Sequence, residues 1–576
     1  MNNKFISLAT AATLLSLGFS ACNKDDQKID VVTPEMANAY AKVSINMPKG
    51  TQTRADNPFD AGSEDEAKVS TIYLALYDAG GNYVGSGQLA SDGEFKVTTT
   101  GETDKNVSDQ YTKIFQIDLL DDTEDPTQVV AFINCDLQTV SLTELNEGFA
   151  YETFDETGKN KLAVSNNFPM TNSGYYDQSA FVMAVEIEGD LYDSFEEASE
   201  ASAQTNVTIY VERLAAKISV DKNSTIDQKN LNYEVYDVAG NEVTLEYTPT
   251  NWAPTGMAME EYIVKTPFEN YKSESWVSGS YRSYWAEGVG YKEDFGYYYK
   301  EGKTTGKLKY VTFGDLKDDD QKFQLSNLGS IGTTAQYAPE HTTILGGDNE
   351  NLIANTYALI VGKYTLDGEN AAEWFGSENI NFYLLLTGHN NDKKVYTIYN
   401  KSQIIGYLLH QNGVQFVGLT PESITQPTEM EDNDFDFTQY LDLTVNEKGQ
   451  YILATKENAP DLFYNSDQKV ADNIESFKTG TNSKCYYYES GAAYFNALIK
   501  HAEIDEKNTP VYGVVRNHSY KLTISKIVNL GAPIDDNGKD PKDPIIPDPD
   551  ELNDHFIKAE INVLSWHIVE NDNVIL

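Results

Sequence analysis

Residues 555–576 read HFIKAEINVLSWHIVENDNVIL, and the reading of this stretch decides how the rest of the chain is understood. Ile557, Ala559, Ile561 and Val563 alternate with Lys558, Glu560 and Asn562, the period of two expected of a strand with one buried face. Past Val563 the apolar positions shift to Leu564, Trp566 and Ile568, which predicts a bulge or burial on both faces. Just upstream, residues 531–554 read GAPIDDNGKDPKDPIIPDPDELND, too rich in Pro and Asp to pair into a sheet. An apolar strand therefore ends a stiff polar tether. It either folds back on its own domain or is offered to another molecule.

The other end of the chain carries a counterpart. Ala41, Val43, Ile45 and Met47 share one face and Lys42, Ser44 and Asn46 the other, matching the C-terminal pattern almost position for position. Pro48 and Gly50 end this strand, and residues 50–58 read as an exposed loop. Arg occurs at only four positions, 54, 213, 282 and 516, and Arg54 stands in that loop, where proteolysis is easiest. Residues 1–21 form a secretory signal, with Lys4 before an apolar run through Leu14, Leu15, Leu17 and Phe19. The tetrad Phe19-Ser20-Ala21-Cys22 resembles a bacterial lipobox, in which the Cys thiol takes the lipid and becomes the first residue. Residues 22–54 then read as a lipidated propeptide containing the short strand.

Composition narrows the class. The chain has 576 residues, 40% of them apolar and 12% aromatic with 38 Tyr, which excludes a wholly disordered protein. A formal charge of −46 argues against nucleic-acid binding, which needs a basic footprint. Cys135 and Cys485, the two cysteines outside the lipobox, read as free core residues in different domains.

Two antiparallel β-sandwich domains are expected, over 55–222 and 223–530, followed by the 531–554 linker and the 555–576 strand. In the first, Lys68 to Tyr77 is a strand turning at Asp78 to Asn82. Tyr111 to Leu120 and Thr127 to Cys135 are further strands, the latter apolar throughout and so central, and Ser141 to Phe149 is a short helix. Val207 to Val220 is a strand broken near Leu214. In the second domain, strands are expected on both sides of Asp237 to Asn241, at Asn355 to Tyr364, at Ile380 to Leu386 and twice within Val511 to Val528. The Tyr-rich residues 268–315, with Tyr281, Tyr284 and Trp285, either pack a long loop or bind glycans or proteins.

Chemistry is sparse. The seven His residues show no metal-ligand spacing, and there is no GxSxG, no phosphate-binding Gly-rich loop and no CxxC. His518 sits between strand and turn and reads as structural rather than catalytic. Asp318 to Asp320 lack an EF-hand spacing, so no metal and no cofactor is assigned.

The lipobox, the strand ending before Arg54, Phe168-Pro169-Met170-Thr171, Val211-Glu212-Arg213 with Ala216-Lys217, and Val514 to Tyr520 (VVRNHSY) together resemble the Bacteroidia-type fimbrillins, or type V pilins. The C-terminal arrangement is most similar to the shaft subunit of the short, Mfa-type (minor) fimbria: Tyr520 to Gly531, the Pro/Asp linker, then Val563-Leu564-Ser565-Trp566. That resemblance implies transthyretin-like sandwiches, no enzymatic activity, and a precursor lipidated at Cys22 on the outer membrane. It further implies a trypsin-like, Arg-specific protease that cuts between Arg54 and Ala55 and frees the strand of Ala41, Val43, Ile45 and Met47. The donor strand of the next subunit, with Ile557, Ala559, Ile561, Val563 and Trp566, then fills the vacated groove. The product is a head-to-tail homopolymer, an extracellular fimbrium that supports adhesion and meets other anchor and tip subunits. The alternative is a monomeric outer-membrane lipoprotein that keeps its lipid and binds glycans.

Overall fold

The computed structural model of the chain describes residues 39–48, 66, 68–89, 107–120, 123–162, 167–177, 180–200, 206–266, 286–289, 299–300, 303–304, 308–317, 325, 328–342, 355–366, 381–411, 414–416, 436–445, 451–457, 462–464, 468–469, 485–503, 510–534, 544–545, 556–557 and 568–575. Cys22, the Arg54-Ala55 pair, Ala559, Ile561, Val563, Trp566 and most of the Tyr-rich stretch lie outside the described residues.

The first unit is built from β1 (Ala39–Pro48), β2 (Ile72–Tyr77), β3 (Tyr83–Leu89), β4 (Val107–Leu119), β5 (Gln128–Ile133), β6 (Met170–Asn172) and β7 (Val207–Arg213). β2 is buried along almost its whole length, so it takes a central place between β3 and β5. Its exit is set by Asp78, whose carboxylate accepts the N–H of Gly80 and of Asn82 at 2.8 Å each, while Gly81 takes φ +78°. A helix α1 (Leu142–Gly148) starts on the capping box of Ser141 and Glu144. A shorter one, α2 (Phe195–Glu200), lies against the outer side of β1 and β4.

The strands run in the order β5-β2-β3-β4-β1-β7-β6, and β6 pairs back onto β5, so seven strands close into a ring. β6 is only three residues long. The Asn172 side chain extends the closure by accepting the Ala131 N–H at 2.9 Å and donating to the Val129 and Met183 carbonyls. One core fills the ring, from Ala41, Val43 and Ile45 of β1 through Phe115, Ile117, Phe132 and Ile209.

The second unit contains β8 (Ala215–Asp227), β9 (Tyr233–Tyr236), β10 (Leu245–Thr255), β11 (Gln336–Pro339), β12 (Tyr357–Leu366), β13 (Phe382–Asn390), β14 (Lys393–Tyr399), β15 (Cys485–Tyr488), β16 (Ala492–Leu498), β17 (Ser519–Lys526), β18 (Phe556–Ile557) and β19 (Ile568–Ile575). Three sheets, β11-β8-β17-β19, β9-β14-β13-β15 and one centred on β10-β12-β16, share a core that includes Trp252, Tyr247, Tyr364, Phe495 and Tyr520. The change of core comes between Ala215 and Ala216, just after the break at Leu214, whereas the sequence pattern alone puts the boundary near Lys222. The alternation of β8 simply runs on past the junction, so nothing in it marks the handover. Ile263 and Val264 also reach back into the first core.

The protein is all-β with few helices. Antiparallel pairing dominates but is not uniform: β1–β7, β8–β17, β9–β14, β16–β18 and β17–β19 are parallel. Chain ends account for three of the five, because a strand that arrives from a terminus is not tied to its neighbour by a hairpin. A helix the sequence reading did not include, α3 (Lys401–Gln411), starts at Asn400, whose side chain accepts the Gln403 N–H at 2.8 Å while Gln403 accepts the Asn400 N–H at 2.9 Å. Cys135 is buried and Cys485 half-buried.

Candidate functional site

β1 has no free edge. On one side it runs antiparallel to β4, from Ala39 opposite Ile117 to Pro48 opposite Val107. On the other it runs parallel to β7, from Val43 opposite Val207 to Asn46 opposite Tyr210. Ala41, Val43 and Ile45 point into the core at 3%, 1% and 1% exposure. Val43 and Ile45 contribute roughly 1.5–3 kcal/mol each by burial. Met47 lies in the same strand, its side chain outside the described residues.

Asn206, at the start of β7, holds the strand by its main chain. Its side-chain oxygen accepts the Lys42 N–H at 2.9 Å, and its own N–H donates to the Lys42 carbonyl at 2.8 Å. The amide group donates in turn to the Asp190 carbonyl at 3.0 Å, and Asn206 is 3% exposed. Sequence reading missed this residue, since its partner Lys42 lies 164 residues away and no local pattern announces the pairing. If β1 is taken out of this arrangement, the ring becomes an open sheet. β4 and β7 are left with rows of unpaired main-chain groups beside an apolar trough, which is costly in water.

The far end of β7 leads into a buried polar junction between the two cores. Glu212 pairs with Lys265 at 2.9 Å, both almost fully buried. Arg213 donates to the Glu66 carbonyl at 2.7 Å and to Asn517 at 3.4 Å. Arg516, fully buried, donates to Glu340 at 3.2 Å and to the Ile263 and Tyr262 carbonyls. Burial raises the Glu261 carboxyl above its usual range against the pull of Arg516 beside it. Thus Val211-Glu212-Arg213 and Arg516-Asn517-His518, far apart in sequence, meet where the modules join. His518 donates from Nδ1 to the Arg516 carbonyl at 2.7 Å, and burial pushes its pKa down to about 3. At 1% exposure it has no access to a substrate, so its role is structural.

The expected donor segment is only partly in view. Ile557 lies in β18, parallel to β16 and opposite Ala497 of the same chain. β19 forms the edge of its sheet, parallel to β17, with Ile568 opposite Ser519 and Val569 opposite Tyr520. Within one chain, then, these two pieces pair with the second unit. Tyr310 and Phe313, from the Tyr-rich stretch, are buried.

Residues 41–213 match the family described as "Major fimbrial subunit protein (FimA)", and residues 486–572 match "Major fimbrial subunit protein type IV, Fimbrillin, C-terminal". The first match runs from β1 to the end of β7, the whole of the ring; the second runs from β15 into β19. These two matches, one at each end of the described chain, support a Bacteroidia-type fimbrillin family. Among solved structures this fimbrillin is similar to a fimbrilin (FimA) from Porphyromonas gingivalis, at 16% identity over 64% of this chain and 82% of that one, with a TM-score of 0.28. It is also similar to a fimbrial assembly protein from Parabacteroides distasonis, at 11% identity over 57% and 82%, with a TM-score of 0.24. No curated protein matches it. The fimbrillin family is structural, not enzymatic, and the matches support a fimbrial structural subunit. The fimbrial subunit family as such implies self-polymerisation and other fimbrial components.

Proposed function

We propose that this fimbrillin is a shaft subunit of the Mfa type that polymerises by exchanging β1 for the C-terminal strand of the next copy. The observation that carries the reading is the place of β1: it is the first strand among the described residues, yet it is built into a closed ring, paired on both edges. A strand so placed can be removed without breaking the order of the other six, provided the chain is cut behind it. Arg54 stands six residues beyond its end at Pro48, in the connector that joins it to the rest. The precursor is exported as a lipoprotein anchored through Cys22 to the outer membrane. An Arg-specific protease cuts between Arg54 and Ala55, and β1 leaves with the lipid. Ile557, Ala559, Ile561 and Val563 of another copy then repeat the alternation of Ala41, Val43, Ile45 and Met47, with Trp566 beyond them, and restore both ladders by β-strand addition.

The exchange is nearly like for like, so its direction comes from irreversible cleavage rather than from a better fit. Donor and acceptor lie at opposite ends of one subunit, which makes the contact head-to-tail and the assembly an open filament. Donation by residues 557–563 also releases the two-residue pairing of β18. The domains proposed are the ring-containing unit from Ala55, the second unit ending at Leu530, the 531–554 linker and the 555–576 strand.

N-terminal sequencing of fimbriae sheared from cells tests the reading, with Ala55 as the expected first residue. Replacing Arg54 by Ala is expected to leave a folded, lipidated monomer that forms no ladders on gels of unboiled samples. Sheared polymer that still carries residues 23–54 would overturn the mechanism.

A further inference from the structure

The strand in the slot is enclosed on its outer side as well as its core side. Lys42 and Ser44 face outward, opposite Ile114 and Thr112 of β4. α2 crosses this face, with Ala198 fully buried against Ile114 and Tyr192. Ser44 on the same face is 2% exposed, and Thr112 Oγ1 lies 3.4 Å from its hydroxyl. The space over residue 44 therefore suits a small neutral side chain. Its surroundings are acidic, since Glu196, Glu197 and Glu200 of α2 and the preceding Asp193 are all exposed there.

Asn206 binds only the main chain of the occupant, so it can hold either strand, and the burial of alternate side chains sets which face turns inward. A slip by one residue turns every apolar side chain outward. In the common register AKVSINM (41–47) is replaced by IKAEINV (557–563). The inward positions exchange apolar for apolar, and Lys and Asn recur at the first and third outward positions. One outward position changes in kind: Ser44 gives way to Glu560.

We infer that α2 is a roof, shut over the removable strand and open over the donor strand of a second copy, because Glu560 enters where Ser44 lay. This inference rests on the strand-exchange reading above. Ser44 is 2% exposed, so a carboxylate that enters at its place beneath α2 gives up much of its water, and that desolvation is costly. α2 is six residues long with one fully buried side chain, so it yields before the carboxylate does.

Hydrogen exchange of the amides of residues 195–200, followed by mass spectrometry, tests this. In wild-type polymer they are expected to exchange at least about tenfold faster than in the uncut precursor, since local opening sets the rate. In polymer of Glu560→Ser they return to the precursor rate. In the uncut Ser44→Glu precursor they speed up with no polymer present. Equal rates in wild-type precursor and polymer, or polymer rates indifferent to Glu560→Ser, overturn the roof. If Ser44→Glu does not fold, the two polymers alone decide. Failure of the exchange reading itself has a different signature: Ile561→Asp then still assembles.

Discussion

A charge placed at Ile45 and a charge placed at Ile561 have opposite effects if the slot is filled first by one strand and then by the other. Ile45 is 1% exposed, between Tyr111 of β4 and Ile209 of β7. Replacing it by Asp forfeits about 1.5–3 kcal/mol of apolar burial. It also leaves a buried carboxylate unpaired, a further cost of roughly 3–5 kcal/mol. The total, about 5–8 kcal/mol, approaches the roughly 5–15 kcal/mol that keeps a protein folded. Melting of the uncut Ile45→Asp precursor should therefore fall by roughly 10–30 °C, or the first unit should not fold at all. Ile561 occupies the same place only after exchange. The uncut Ile561→Asp precursor should melt like wild type, yet after cleavage it should form no multimer ladder. Scanning calorimetry of the precursors and unboiled gels of the cut forms supply the two readings. An Ile561→Asp precursor that melts early while its cut form still makes ladders would refute the reasoning. It would place the segment within its own domain, as β18 and β19 are paired in the single chain.

Asn206→Ala strands the Lys42 N–H and the Asp190 carbonyl, at about 1–3 kcal/mol for each buried group left unsatisfied. Because the clamp binds main chain only, precursor melting and the denaturant resistance of the polymer should both fall; a loss confined to the precursor contradicts the shared register. Arg516→Met removes the partner of Glu340 and Glu261 and should cost about 3–5 kcal/mol in urea unfolding, while a variant as stable as wild type shows that the junction carries no net stability. His518 is held neutral, its pKa lowered from 6.5 to about 3, and His341 is lowered to about 4, both by burial. The stability these depressed values confer is present above pH 6.5 and is lost as pH falls, because the unfolded chain takes up protons that the folded one refuses. His518→Asn should therefore be less stable than wild type at pH 7.5, with the gap narrowing below pH 6.5 by about 1.4 kcal/mol per unit. A gap that stays constant to pH 4.5 assigns the depressed pKa to no stability effect.

Much of the strand pattern was legible because strands announce themselves locally. The turn at Asp78 to Asn82, the apolar run of β5, the capping box at Ser141 and the break at Leu214 each depend on residues within one short window. The helix α3 was legible in principle, through Asn400 and Gln403, but its Gly406 and mixed polarity weaken the helical period. Ala41, Val43 and Ile45 were likewise recognisable as one buried face from their alternation alone.

Alternation determines that β1 and the C-terminal segment are half-buried strands and that their outward positions differ at Ser44 and Glu560. Which strands flank β1, that it closes a ring, that Asn206 clamps it and that α2 covers it were decided only by the tertiary structure. So was the meeting of Glu212, Arg213 and Arg516 at the junction, across about half the chain. The physical reason is that period and turn chemistry act between neighbours in sequence. Pairing partners, by contrast, are chosen by burial and hydrogen-bond satisfaction among residues that are neighbours only after folding.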